Sequence, residues 1–139
     1  MAIIIDVKNA IRKAIYDKDS SVNFFFNKIL KVQYPYVFFY IPSFKLDKAI
    51  NCEHWRRLNL MCVVEYALNE SSSATELWEY SDVLSEAFSL FTFADTKISA
   101  RNTEFKLVEG VLQMTFDLDV YVKAIDETEL MQELELTIK

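Results

Sequence analysis

The residues with the widest chemical repertoire in this 139-residue sequence are two cysteines, one histidine and a set of carboxylates. Cys52, His54 and Cys62 share strand parity, and thiolate and imidazole are good zinc ligands. Along an extended strand, however, Cys52 and Cys62 are too far apart to meet at one ion, and no fourth ligand stands out. The expectation is a buried core thiol at Cys62 and a loop pair at Cys52 and His54. Asp117, Asp119 and Glu104 form a second candidate set. Paired carboxylates bind divalent cations or act as acid and base, but a working pair sits in a cleft. Here Asp117 and Asp119 alternate with Gln113 and Thr115, so a plain polar face is expected. His54 is the only base for a triad, and nothing beside it resembles a nucleophile motif. Gly110 is the only glycine, which excludes every glycine-rich phosphate loop. No catalytic group, metal or cofactor is expected.

Two further features speak of contact instead of catalysis. Trp55, Arg56 and Arg57 form an aromatic-basic cluster of the kind enriched at interface hot spots; the plain alternative is a strand end with ordinary surface charge. Trp78 lies off the apolar stripe of its helix. It either packs against a loop or makes a second contact point.

Composition agrees with an assembling domain. The chain has the length of one domain. Its 52% hydrophobic and 14% aromatic content implies a large core, an intersubunit surface or both. A net charge of −6 disfavours nucleic-acid binding, which needs a basic patch, and lets an acidic surface repel DNA. Two thiols are too few for a disulfide scaffold. The opening MAIIIDVKNAIRKAIYDK has no apolar run long enough for a signal peptide or membrane span, so the cytoplasm of the producing cell is the expected compartment.

The elements that must position these residues follow from periodicity. Ile4, Val7, Ile11, Ala14 and Ile15 make one stripe of a helix over about residues 4–17. A strand is expected from Phe24 to about Val32, and another over Tyr36–Ile41 that ends or meets an edge at Pro42. Residues 44–53 are a loop or strand extension. Trp55–Leu68 reads as a long strand with Leu58, Leu60, Cys62, Val64, Tyr66 and Leu68 on one face. Ser73 and Glu76 have the spacing of a capping box and open a helix over about 74–91. Glu109-Gly110 supplies a hairpin turn. The register then sets Leu107 against Leu112, Phe105 against Met114 and Thr103 against Phe116, with Lys106–Gln113, Glu104–Thr115 and Asn102–Asp117 on the polar face.

The expected fold is α+β in the order α-β-β-β-α-β-β. Two main helices pack on one face of a mostly antiparallel sheet. Residues 1–125 form the domain. Residues 126–139 form an acidic C-terminal arm in which Leu130, Met131, Leu134 and Leu136 are interspersed. Such an arm is either a solvated end or a segment that docks on a neighbouring subunit.

Three segments carry a resemblance. DVKNAIRKAIYDK, the pair RRLNLMCVVEYALNE and ATELWEYSDVLSEAF, and VEGVLQMTFDLDVYVKAIDETELMQELE together resemble the phage tail terminator, or tail completion, family of tailed phages and related contractile particles of Gram-positive bacteria. Between Ser20 and Tyr36 the chain departs from that pattern with SSVNFFFNKILKVQY. The resemblance implies a structural virion protein at the tail neck, not an enzyme. It implies a ring, commonly a hexamer, that caps the tail tube, ends tube polymerisation and forms the joining surface to the head connector. In contractile particles it adds contact with the sheath, and DNA passes through the lumen without specific binding. Within this reading Trp55, Arg56, Arg57, Trp78, Leu130, Met131 and Leu134 are the candidate interface residues. The alternatives are another neck or head-completion protein, or a small ligand-binding module with Phe24, Phe26, Phe38 and Tyr40 lining a pocket.

Overall fold

A computed structural model describes residues 3–48, 55–70, 73–93 and 96–123. The first helix, α1 (Ile3–Lys18), buries the stripe Ile4, Val7, Ile11, Ala14 and Ile15. Asp6 in its first turn and Lys18 in its last suit the helix dipole. Asp19 ends it, and its carboxylate accepts from the Ser21 backbone N–H at 3.0 Å in an Asx turn.

Strand β1 (Asn23–Phe26) is shorter than expected. Asn27 takes a φ of +60°, a left-handed conformation that asparagine tolerates, and so turns the chain out of the strand. Beyond it Leu30 is 83% exposed. β1 pairs in parallel with β2 (Tyr36–Lys48), and the Asn23 side chain donates to the Gln33 and Pro35 carbonyls to brace the connection between them. β2 does not stop at Pro42. The register against its other neighbour shifts between Tyr40 and Ser43, so the proline falls in a bulge. β1 reaches only as far as Phe39, which leaves Pro42 at an edge position where no N–H is required.

The central strand is β3 (Trp55–Ala67). Helix α2 (Ala74–Ser89) follows, with the Ser73 hydroxyl oxygen accepting from the Glu76 N–H at 3.2 Å. The Glu76 carboxylate accepts from the Ser73 hydroxyl, a variant of the reciprocal box. α2 buries Leu77, Tyr80, Leu84, Ala87 and Phe88. It ends at Ser89, because Leu90 is already extended at φ −160°. Phe91, expected on the helix, is instead buried in a small two-stranded ladder, β4 (Phe91–Phe93) with β5 (Thr96–Ile98).

The last two strands, β6 (Arg101–Val108) and β7 (Val111–Lys123), form the expected hairpin. Glu109 and Gly110 both have positive φ, as a type I′ turn demands. Leu107–Leu112, Lys106–Gln113, Phe105–Met114 and Glu104–Thr115 pair as read from the sequence. Thr103–Phe116 and Asn102–Asp117 do not. Asn102 adopts φ +53°, the register shifts, and Arg101 takes the place opposite Asp117.

The main sheet has the order β1-β2-β3-β7-β6 and is antiparallel apart from its β1 edge. This is the α+β class expected, with two helices and the order α-β-β-β-α-β-β, the β4–β5 ladder being inserted before the hairpin. One face of the sheet meets the helices. Val37, Phe39, Leu58, Leu60, Cys62, Val64, Tyr66, Leu112, Met114, Phe116, Leu118 and Val120 point into that single core. The other, open face carries Phe38, Tyr40, Asn59, Met61, Val63, Glu65, Gln113, Thr115 and Tyr121, of which Met61 and Tyr121 are exposed and Val63 is buried.

Candidate interaction surface

The alternation of β3 and β7 places Arg57, Asn59, Asp117 and Asp119 on the open face. Antiparallel register sets Asn59 directly opposite Asp119 and Arg57 opposite Tyr121, so Arg57 reaches Asp119 on the diagonal. The Arg57 guanidinium donates from Nη2 to both Asp119 oxygens, at 3.0 and 3.2 Å, and from Nε to Oδ1 at 3.2 Å. Asn59 Nδ2 donates to Oδ1 at 2.7 Å. Arg101, brought alongside by the bulge at Asn102, donates to Oδ2. Asn102 in turn donates to Asp117 at 2.9 Å.

Asp119 is therefore the centre of a charged cluster spanning β3, β7 and β6. Its side chain is only 11% exposed, while Arg57 and Arg101 stay 39% and 59% exposed. Burial by itself would raise the Asp119 carboxyl. The hydrogen bonds from Asn59 and Arg57, with the positive charges of Arg57 and Arg101, outweigh it and hold the carboxyl below its ordinary value. A carboxylate so engaged is a poor acid or base at neutral pH. It serves to fix two guanidinium groups that remain partly exposed.

The expected carboxylate trio is thus divided. Asp119 and Asp117 join the cluster, whereas Glu104 sits opposite Thr115 on the edge strand. Asp119 is gripped by Arg57, a pairing not foreseen. The signal was present as strand parity, but parity does not say which strands are neighbours.

The other candidates fall as follows. Trp55 and Arg56 open β3 opposite Lys123 and Val122. Trp78 stands on α2, 43% exposed, on the opposite side of the sheet from Arg57. Leu130, Met131 and Leu134 lie outside the described residues, as do Cys52 and His54. Cys62 is a fully buried core thiol; burial first, and the Asp117 charge second, push its pKa far up. Among the described residues no group of cysteine, histidine, aspartate and glutamate side chains could hold a metal ion.

The four aromatics considered for a pocket part company. Phe24 and Phe26 pack against the core, Phe26 stacking on Phe39. Phe38 and Tyr40 stand on the open face, where with Asn27, Ile41, Pro42 and Glu65 they line a cleft of about 360 Å³. Tyr40 donates to Glu65 at 3.2 Å there.

A helix-backed sheet whose second face displays fixed guanidinium groups and exposed apolar side chains defines a structural module made for contact with other chains. The chain belongs to the phage tail terminator protein family, whose model matches residues 6–130. It is accordingly a structural component of the virion that interacts with other tail or head proteins. Among curated proteins there is no match. Of the solved structures that match, one aligns over 88% of this chain and 96% of its own at 10% identity and a TM-score of 0.44, a likeness too slight to bear on function. Among the described residues no helix is long and apolar enough to cross a membrane.

Proposed function

We propose that this protein closes into a ring of identical subunits, a hexamer, that caps the phage tail tube. The ring seats on the last ring of the tube, stops its polymerisation and presents its other rim to the head connector. Where the tail contracts, the sheath is a further partner. Assembly takes place in the cytoplasm of the bacterial host.

The observation that carries this reading is the family match over residues 6–130, which spans almost the whole chain. The placement of the contact groups supports it. A ring needs a heterologous interface, in which two different patches of one subunit meet two neighbours. The Arg57 cluster lies on the open sheet face and Trp78 on the helix layer behind it, so the two face opposite ways. The net charge of −6 suits a lumen that passes DNA without holding it.

The test is to add purified protein to growing tail tubes and image the ends by negative-stain electron microscopy. Ring density at one tube end, with no lengthening on further tube subunit, is the expected result. Bare, still-growing tubes would refute the proposal, and binding to head connectors alone would mark a neck or head-completion protein instead.

A further inference from the structure

The cationic cleft on the open face has a composition that calls for a particular occupant. Lys45, Arg57 and Arg101 line it with Asn59, Asn102, Asp117 and Asp119, around a volume of about 290 Å³. Among the described side chains three cations face two carboxylates, on a chain whose net charge is −6, and Asp47 of β2 stands opposite Arg57. Both carboxylates are already engaged, Asp119 by Arg57, Asn59 and Arg101, and Asp117 by Asn102. The guanidinium groups are held in place yet partly exposed, so little ordering entropy remains to be lost when an anion arrives.

Two apolar side chains flank the cluster. Met61, opposite Asp117, is 46% exposed, and Tyr121, opposite Arg57, is 58% exposed. The surface is thus a fixed cationic centre between two apolar shoulders, and it fits a segment in which carboxylates alternate with large apolar residues.

One stretch of this sequence has that composition. Residues 126–139 hold Asp126, Glu127, Glu129, Glu133 and Glu135, interleaved with Leu130, Met131, Leu134 and Leu136, and only Lys139 is basic. In a closed ring each subunit offers this segment to a neighbour.

We propose that the Lys45–Arg57–Arg101 cleft receives the carboxylates of residues 126–135 from a second copy of this chain. The proposal rests on the ring reading above and names the contact that links successive subunits. It makes that interface a carboxylate–guanidinium one, weakened by salt where it meets solvent.

The experiment uses full-length protein in three charge-reversed forms: Lys45→Glu with Arg101→Glu, Glu133→Lys with Glu135→Lys, and all four together. Self-association is read by sedimentation velocity, with circular dichroism to confirm folding. Each pair alone is expected to weaken self-association at least roughly tenfold, and the combination to recover most of it. Lys45→Glu alone serves if the cleft pair does not fold. Unchanged association in both pairs, or no recovery in the combination, overturns the proposal.

A second readout distinguishes the second copy from the same chain. Carbodiimide cross-linking of mixed isotope-labelled and unlabelled protein should join Lys45 to Glu133 or Glu135 in peptides carrying one label each. Links confined to peptides of a single label overturn the assignment. Rings that still cap tubes after arm reversal would reject the docking and leave the capping function standing. Bare tubes with mixed-label cross-links would do the reverse.

Discussion

Tyr66 of β3 and Tyr80 of α2 lie face to face, ring centroids 3.5 Å apart and planes 5° from parallel. The Tyr80 hydroxyl continues past the stack to donate to Asp19, just beyond α1, at 2.9 Å. One side chain therefore joins both helices to the sheet. The consequences show in the titration of all three groups. Burial and the negative charge of Asp19 push the Tyr66 hydroxyl up to about 12. Burial, then the bond to Asp19, drive Tyr80 upward too.

Tyr80→Phe keeps the stacked ring and removes only the bond to a charged acceptor. The expected loss is about 1.5–3 kcal/mol, measured by urea denaturation. Tyr80→Ala also removes the buried ring and should cost more, about 3–5 kcal/mol. Equal losses for the two would show that the hydroxyl contributes everything and the stack nothing.

Asp119→Asn leaves the two guanidinium groups without their anion and should destabilise by about 1–3 kcal/mol. The acid limb carries a sharper signature. In the folded chain Asp119 and Asp19 both titrate below the ordinary carboxylate value of 3.8. The unfolded chain then binds protons first as pH drops. Their stabilisation is full above about pH 4–5 and fades as pH falls through the depressed folded values. In Asp119→Asn the loss of stability between about pH 5 and 2 should be shallower than in the parent chain. An identical acid limb would show that Asp119 is not depressed.

The hairpin turn offers a change of opposite sign. Glu109 holds a φ of +49°, where a β-carbon is crowded. Glu109→Asn should stabilise the protein by up to about 1 kcal/mol, since asparagine accepts this conformation and favours type I′ turns. Gly110→Ala should destabilise by about 1–2 kcal/mol through backbone strain alone, for a β-carbon at Gly110 (φ +79°) meets nothing within 4 Å. Thermal melts of the two variants should move in opposite directions.

Cys62 gives a probe of global opening. In a Cys52→Ser background it is the only thiol, and it is fully buried with its thiolate disfavoured. Labelling by an aromatic disulfide reagent should be slow in native buffer and accelerate by orders of magnitude through the unfolding transition. Rapid native labelling would place the thiol at the surface.

Much of this molecule is decided by local pattern. The stripe of α1, the Ser73 cap, the alternation of β3 and β7 and the Glu109-Gly110 turn are each set by neighbours a few residues apart, and side-chain spacing with turn chemistry suffices to read them. The points misread are those where one residue's backbone state breaks a pattern. Asn27 ends β1 early, β2 runs on past the edge position of Pro42 through a bulge, and Asn102 shifts the hairpin so that Arg101 takes the register position opposite Asp117.

One histidine and one glycine leave few residue types for the familiar catalytic and phosphate-binding motifs. What the sequence could not supply is the strand order. Arg57 and Asp119 are 62 residues apart, and only the pairing of β3 with β7 brings them within 3.0 Å. Parity sets Asp119 on a polar face and Arg57 on a mixed one, yet such faces become a fixed charged cluster only when the register chooses their neighbours. That choice is made by burying the opposite face against two helices, a property of the whole chain and not of either strand.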